Sequence, residues 1–483
     1  MLYDYVIVGT GPTGLTLAWY LAKLNKKILL VEKENSIGGC HRVRRVNNLF
    51  TEHGPRIYLN NYLNTITWLT DMNLNFYDIF TRFYFSLTSI GGESLSHFTI
   101  LELLKMTVSY IKFMFNSSPM KKITMLEYSN QNNFSDDAKD YIDRLCRMTD
   151  GAGIDRYTLY EFFELLNQNT LYNIYQPKLP NDVGLFRHIY QKLIETKNVK
   201  IKLNTDVIKI NYKNSEIKSL TISGNNRLGE VEGKKFILAI PPLALLTILK
   251  NSRMENIFSP ILMDKLGYNI NEWVEETKYI NYIPITFHWS KKLNLKKVFG
   301  FPKTEWGVVF TVLSDYMNFD NPLSETVIST AITMPNKYSS VTNKTANQSS
   351  VEELKEEVLR QLRVSFPNLP LPTVAILSPG VYFDNHKNQW KTVDSSFVFT
   401  KEGYLNKIQY KNLYNIGTHN GRSHYAFTSM ESAVTNAFYL LNKLEQNNIV
   451  IKEPFTLNKL ILIFLVTIII IIVMIVLVIL YRR

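Results

Sequence analysis

The first forty residues constrain this chain's fold more than any later stretch. "YDYVIVG" (3–9) is a short apolar run rich in β-branched residues and reads as a buried parallel strand. "GTGPTG" follows at once and sets Gly9, Gly11 and Gly14 in GxGxxG spacing, with Pro12 and Thr13 between the last two glycines. "LTLAWYLAKLN" then has helical periodicity, and "KKILLVE" is a second strand that ends in Glu32. Each glycine has a mechanical place in this βαβ unit: Gly9 for the tight turn, Gly11 for close approach to a pyrophosphate, Gly14 for packing helix on strand. The helix start offers free N–H groups and a positive dipole end to phosphates. Glu32, with Lys33 beside it, falls where a carboxylate accepts ribose hydroxyls.

A second pair, Gly38 and Gly39, lies in "ENSIGGCHR" and would bring backbone to the cofactor again. A plain NAD-binding unit has no need of it. "VEKENSIGGCHR" resembles the flavin-containing amine oxidases and their relatives, the protoporphyrinogen oxidases among them, in which a ribose carboxylate is followed by a GG pair. Cys40 stands where an Arg commonly follows the pair, and Arg42 comes two residues later. The resemblance implies non-covalent FAD. It also implies cofactor contacts at Val207 on a middle strand, before a strand ending in Ala239-x-Pro-Pro, and at Gly417, Thr418 and Met430 in the C-terminal motif. Thr418 replaces an expected acidic residue, and Ser429 replaces a cage aromatic.

The resemblance makes the chain α/β: a Rossmann-like FAD-binding domain (1–60, 200–250 and 400–445), an α+β substrate domain (61–199 and 251–399), a linker (446–459) and a transmembrane helix (460–480). Its catalytic candidates are Arg56 in "EHGPRIY", His288 in "ITFHWSKK" and Arg422 in "GRSHYAFTSM". His53, His419 and His424 sit in loops beside cofactor motifs, where a histidine either transfers protons or simply bonds its surroundings. "EHGPRIY" and "GRSHYAFTSM" also resemble UDP-galactopyranose mutase, which uses reduced FAD as a nucleophile without net oxidation. Arg56 and Tyr58 replace its His and Phe, Glu431 follows Met430 where an Asp would precede it, and Arg422 would face a diphosphate.

The middle of the chain reads as follows. Ser135 is an N-cap candidate, 183–195 has a helical apolar face, and 200–224 has hairpin signals. Residues 279–335 read as an antiparallel sheet, and 351–367 as an amphipathic helix that Pro367 ends. Two cysteines, Cys40 and Cys146, cannot build a disulfide framework, so a reducing compartment is expected. The net charge of +12 is scattered, and no nucleic-acid module is present, so no nucleic-acid partner is expected.

Residues 460–480 form a 21-residue run whose sole polar member is Thr467. At 1.5 Å per residue it spans about 30 Å, the hydrocarbon thickness. The first strand begins at about Leu2 and leaves no room for a leader, so the expectation is a single-pass, tail-anchored protein with its catalytic domain facing the cytosol. The expected function is a membrane-anchored FAD-dependent oxidoreductase acting on a small-molecule substrate, by hydride transfer from a C–N or C–C bond to flavin. The alternatives are a mutase-like isomerase and a flavin-binding interaction module with little turnover.

Membrane association should therefore survive an alkaline wash, and deleting 460–483 should release a folded protein. Protease added outside intact vesicles should digest the catalytic body, whereas protection of that body would reverse the orientation.

Overall fold

The computed structural model describes residues 2–84, 96–224, 227–254, 282–298, 302–393, 412–418, 428–446 and 448–481. Its central sheet begins with the strand Tyr3–Val8, which pairs in parallel with Ile28–Val31 on one side and with Arg227–Leu238 on the other. Val199–Lys202 extends one edge in parallel, and Leu413–Asn415 adds in parallel to Arg227–Leu238. The long strand Arg227–Leu238 serves two partners. Its second half pairs with Tyr3–Val8, while its first half pairs antiparallel with Glu216–Gly224, which in turn pairs with Thr205–Lys213.

Alternation along the first strand decides what covers each face. Tyr5 and Ile7 join a core built with the helices Pro12–Lys23, Leu185–Glu195 and Met430–Glu445. Val6 and Val8 face the opposite layer, with Val207, Leu220 and the helix Pro242–Asn251. The first and last helices of this layer touch directly. Tyr20 and Phe438 pack edge to face at 5.2 Å, and the Thr13 hydroxyl donates to the Ala433 carbonyl at 3.1 Å.

The 279–335 expectation becomes a four-stranded antiparallel sheet in the order Val308–Val312, Thr326–Ile332, Ile283–Trp289, Val374–Leu377. The amphipathic helix Val351–Leu362 packs on it and stops before Pro367. Ser135 caps Asp136–Asp150 by accepting from the Ala138 amide. That helix belongs to a helical layer with Ile100–Phe115, Met125–Gln131 and Leu159–Asn169, which shares a core.

The C-terminal helix runs Leu457–Tyr481, starting ahead of the apolar run because Thr456 accepts from the Leu460 and Lys459 amides. An 18-residue stretch of it has a mean hydropathy of 3.8, and none of that stretch is buried against the protein. It is long and apolar enough to span a membrane.

One buried carboxylate joins the two ends of the chain. Glu431 accepts from the Asn64 and Thr65 amides at 2.9 Å each, from Asn64 Nδ2 at 2.7 Å and from Thr65 Oγ1 at 2.8 Å. It thus caps the helix Leu63–Asp71, whose own N-cap, Tyr62, supplies no side-chain acceptor. Burial pushes Glu431 up to about 7 although its four donors pull it down. The buried Glu52 is raised to about 7 for the same first reason.

The sign of the pH dependence follows. Between the ordinary value of 4.5 and about 7 the folded protein holds protons that the unfolded chain has released. This contribution to stability is complete at low pH and is lost as pH rises through about 7. Glu431→Gln should flatten one share of that decline and lower the melting temperature above about pH 7, where an amide NH₂ replaces a carboxylate oxygen that accepts from the Asn64 and Thr65 donors. Melting temperatures measured from pH 4.5 to 8 check both effects.

Candidate functional site

The glycine turn is held by backbone contacts that no side chain could share. Gly9 has φ +97°, and a Cβ there would lie 2.4 Å from the Ala239 carbonyl oxygen. A Cβ at Gly14 would lie 2.1 Å from the Gly9 oxygen. Gly11 differs. A Cβ there would meet nothing closer than the Gly39 Cα, at 3.9 Å. Protein therefore fills the space at Gly9 and Gly14 and leaves it open at Gly11, where a phosphate cradle needs room. The Gly38-Gly39 loop closes the other side: Gly38 N–H donates to the Thr10 carbonyl at 2.9 Å, and a Cβ on Gly39 would come within 2.9 Å of Gly11 Cα. The helix Pro12–Lys23 has Gly11 as its N-cap and no side-chain cap, so its positive end has no acceptor from a capping side chain.

Glu32 ends the second strand as expected, and it is already well bonded. It accepts from Thr10 N at 2.9 Å, Thr10 Oγ1 at 2.6 Å and Glu34 N at 3.1 Å. Arg42 points to this carboxylate at 3.2 Å and donates to the Ser36 carbonyl. Lys33 is an exposed neighbour of Glu34. Val207 is buried opposite Ile222, and the Thr205 amide two residues earlier donates to the Glu32 carbonyl. Gly417 accepts from Asn436 Nδ2 at 2.7 Å, which ties the last strand to the helix Met430–Glu445.

A cavity of ≈ 200 Å³ joins these motifs to the antiparallel sheet and the helical layer. Pro12, Cys40, Arg56, Thr418 and Met430 all line it. Arg56 Nη2 donates to the Cys40 carbonyl at 2.5 Å, and the Arg56 carbonyl accepts from Gln176 at 2.6 Å, so this side chain is tied to the GG loop. Burial alone would weaken the Arg56 charge, but Cys40, Tyr58 and Glu52 around it reverse that and hold the guanidinium ionised. His41 and His53 also line the cavity, and both are held well below the ordinary histidine range by burial and then by the Arg56 charge. They are neutral at physiological pH. Lone-histidine proton transfer, expected as one option for His53, would have to begin from the neutral ring.

The structure does not bring His288 to this cavity. Its ring lies buried in the antiparallel sheet, 2.9 Å from the Phe50 carbonyl and 3.0 Å from Ser324 Oγ, and burial lowers it to about 4. It fastens that sheet to the hairpin strand Leu49–Glu52 and is not among the residues that line the cavity. Arg422, His419 and His424 lie outside the described residues. Ser429, in the place of a cage aromatic, accepts from the Ser432 amide at 3.0 Å as a helix cap.

Sequence reasoning missed three further cations on the cavity wall: Arg147, Lys296 and Lys297. Arg147 is aimed by Asp143 at 2.8 Å and by the Thr333 carbonyl at 3.0 Å, and Lys297 sits 5.1 Å from the Tyr84 ring centroid. The "KK" dipeptide is visible in the sequence, but no local pattern could place it in one cavity with Arg56.

Residues 7–71 match the family model described as the NAD(P)-binding Rossmann-like domain. UDP-galactopyranose mutase of Mycoplasma genitalium is 38% identical over 71 residues, 14% of this chain and 18% of that protein. The Mycoplasma pneumoniae mutase is 31% identical over 92 residues, 15% of this chain and 23% of that protein. The chain thus matches less than a quarter of the length of either mutase. A putative protoporphyrinogen oxidase from Exiguobacterium superposes with TM-score 0.58 at 16% identity, covering 92% of this chain and 98% of that one. A putrescine oxidase bound to putrescine superposes with TM-score 0.57 at 12% identity, covering 92% and 100%. The fold is therefore that of amine oxidase and protoporphyrinogen oxidase structures, and these neighbours are oxidoreductases.

Gly11→Val should fold with a melting temperature close to the parent's, because the protein leaves that side open, yet retain no dinucleotide after purification. Gly14→Val should fail earlier, at folding. Denaturing the purified variants and assaying the released nucleotide separates the two outcomes.

Proposed function

We propose that this chain is a membrane-anchored, FAD-dependent oxidoreductase of amine oxidase type whose substrate is bulky and anionic. The observation that carries the reading is the single cavity in which the glycine helix, the GG loop and the start of Met430–Glu445 meet a wall holding Arg56, Arg147, Lys296 and Lys297. FAD fits the residues present: the open side of Gly11 and the uncapped helix end suit a pyrophosphate, and Glu32 suits a ribose. When bound, FAD supplies a two-electron acceptor for a hydride from a C–N or C–C bond, to be reoxidised by oxygen or another acceptor.

The chain's own residues do the rest. Gly11 and Gly39 keep backbone close to the phosphates. Arg42 holds the Glu32 carboxylate in place. The N-terminus of Met430–Glu445, beside Thr418, offers positive dipole to negative charge in the cavity. Arg56, fixed to the Cys40 carbonyl, presents its charge at the boundary between cofactor motifs and substrate wall. Cations on that wall favour carboxylates or phosphates. Ser429, committed to capping, leaves a small amine without a second aromatic wall. We assign 1–60, 200–250 and 400–445 to cofactor binding, 61–199 and 251–399 to substrate binding, and the cytosol as the side the body faces.

A mutase-like reading has its own support in the partial identity with the two mycoplasma mutases and in a cationic wall that would suit a nucleoside diphosphate. The full-length protein should purify yellow. Mixed anaerobically with amines, porphyrinogens and UDP-galactose, its flavin should bleach with a bulky anionic donor and stay oxidised with benzylamine. Arg56→Ala should slow that bleaching at least about tenfold while keeping its FAD, as loss of a charge-assisted contact of about 1.5–3 kcal/mol requires. Efficient benzylamine turnover, indifferent to Arg56→Ala, would overturn the anionic-substrate reading. Sugar interconversion only after prior reduction would favour the mutase, and bound flavin with neither reaction a binding module.

A further inference from the structure

The helix Ile100–Phe115 is apolar on two opposite sides. One side, with Met106, Tyr110 and the buried Phe113, packs into the helical layer. The other carries Ile100, Leu101, Leu104, Val108, Ile111 and Phe115, each 49–79% exposed. Their spacing of three and four residues keeps them on one stripe, roughly half a turn from the packed one. Six of the eight exposed residues of this helix are large and apolar; the other two are Thr107 and Lys112. A helix apolar on both sides is ordinarily buried on both. This one is well made, with a capping box between Thr99 and Glu102, so the exposed stripe is not a frayed end.

Its position says what covers the stripe. Tyr110 meets Phe163 edge to face at 5.3 Å and Phe113 packs tilted against the same ring at 5.5 Å, on the helix Leu159–Asn169. That same helix holds the root of the apolar C-terminal helix: Asn167 Oδ1 accepts from the Asn458 amide at 2.9 Å. Just beyond it, the Tyr172 hydroxyl donates to the Phe455 carbonyl at 3.0 Å. Leu171 and Phe455 are themselves exposed at this root. Lys459 marks the last charge before the apolar run, so a bilayer holding Leu457–Tyr481 has its surface at that level. The helix Ile100–Phe115 stands one helix away.

We propose that Ile100–Phe115 is a second membrane element, lying in the lipid interface with its stripe among the acyl chains and Lys112 and Lys122 at the headgroups. The body is thereby seated on the bilayer at two places instead of hanging from one. The proposal rests on reading Leu457–Tyr481 as a span, and the experiment separates the two.

Full-length protein in phosphatidylcholine–phosphatidylglycerol vesicles is labelled, in parallel samples, by a lipid-borne photoactivated carbene and by hydroxyl radicals from water, and the labels are mapped by peptide mass spectrometry. An interfacial helix buries its apolar face about 5–10 Å deep, so carbene labelling at Leu104, Val108 and Ile111 should exceed that of the exposed Tyr338 and Val341 by at least about fivefold. Radical labelling at the same three positions should fall on adding vesicles to detergent-free protein. Labelling of 457–481 without 100–115 would overturn this proposal and leave the anchor intact. Protection of 100–115 from both reagents would mean a protein partner, such as a second copy, and would also overturn it. An unlabelled 457–481 would remove the anchor and the proposal together.

Discussion

Backbone crowding at three glycines sets the geometry of this molecule. Gly9 sits against the Ala239 carbonyl, Gly14 against the Gly9 carbonyl and Gly39 against Gly11 Cα, each at a distance no Cβ tolerates. These contacts fix the strand Tyr3–Val8 beside Arg227–Leu238, set the first helix on the sheet and fold the GG loop over the helix start. The open flank of Gly11 is what remains once the others are filled. The cofactor cradle is thus a by-product of how tightly the sheet and its first turn must pack, and the cavity is built outward from it.

Elements encoded by short-range pattern were legible in the sequence. The βαβ unit, the hairpin Thr205–Lys213 with Glu216–Gly224 and the Ser135 cap all lie where periodicity and capping chemistry put them. What depended on tertiary meeting was not. Nothing around Arg42 says that its guanidinium turns to Glu32, and nothing around His288 says that Phe50 and Ser324 satisfy its ring. Arg147, Lys296 and Lys297 come from a helix and a loop far apart in sequence, so only the folded chain shows that they share a wall. Glu431 was noticed as part of a flavin motif, yet its four bonds go to Asn64 and Thr65.

Polar groups in the interior are placed to restrain. Glu431 caps a helix more than three hundred residues away, His288 staples sheet to hairpin, and Arg42 steadies Glu32. Glu431 and His288 are satisfied, which is the condition under which buried polarity rigidifies a core. The charges on the cavity wall are different in kind: Arg56 and Arg147 are aimed by neighbours yet still line the cavity, and Asp315 is the one acidic side chain lining it among the described residues.

The Glu431 link also orders events in time. The first strand, the glycine turn and the GG loop come early in the chain, but the cavity lacks part of its lining until Thr418 and the start of Met430–Glu445 have been made. Only a short stretch separates that helix from the apolar Leu457–Tyr481. Completion of the cavity and formation of the apolar helix therefore lie close together in chain order. A nascent chain that stops short of Met430–Glu445 exposes an uncapped Leu63–Asp71 and an incomplete cavity, and the arrival of Glu431 closes both at once.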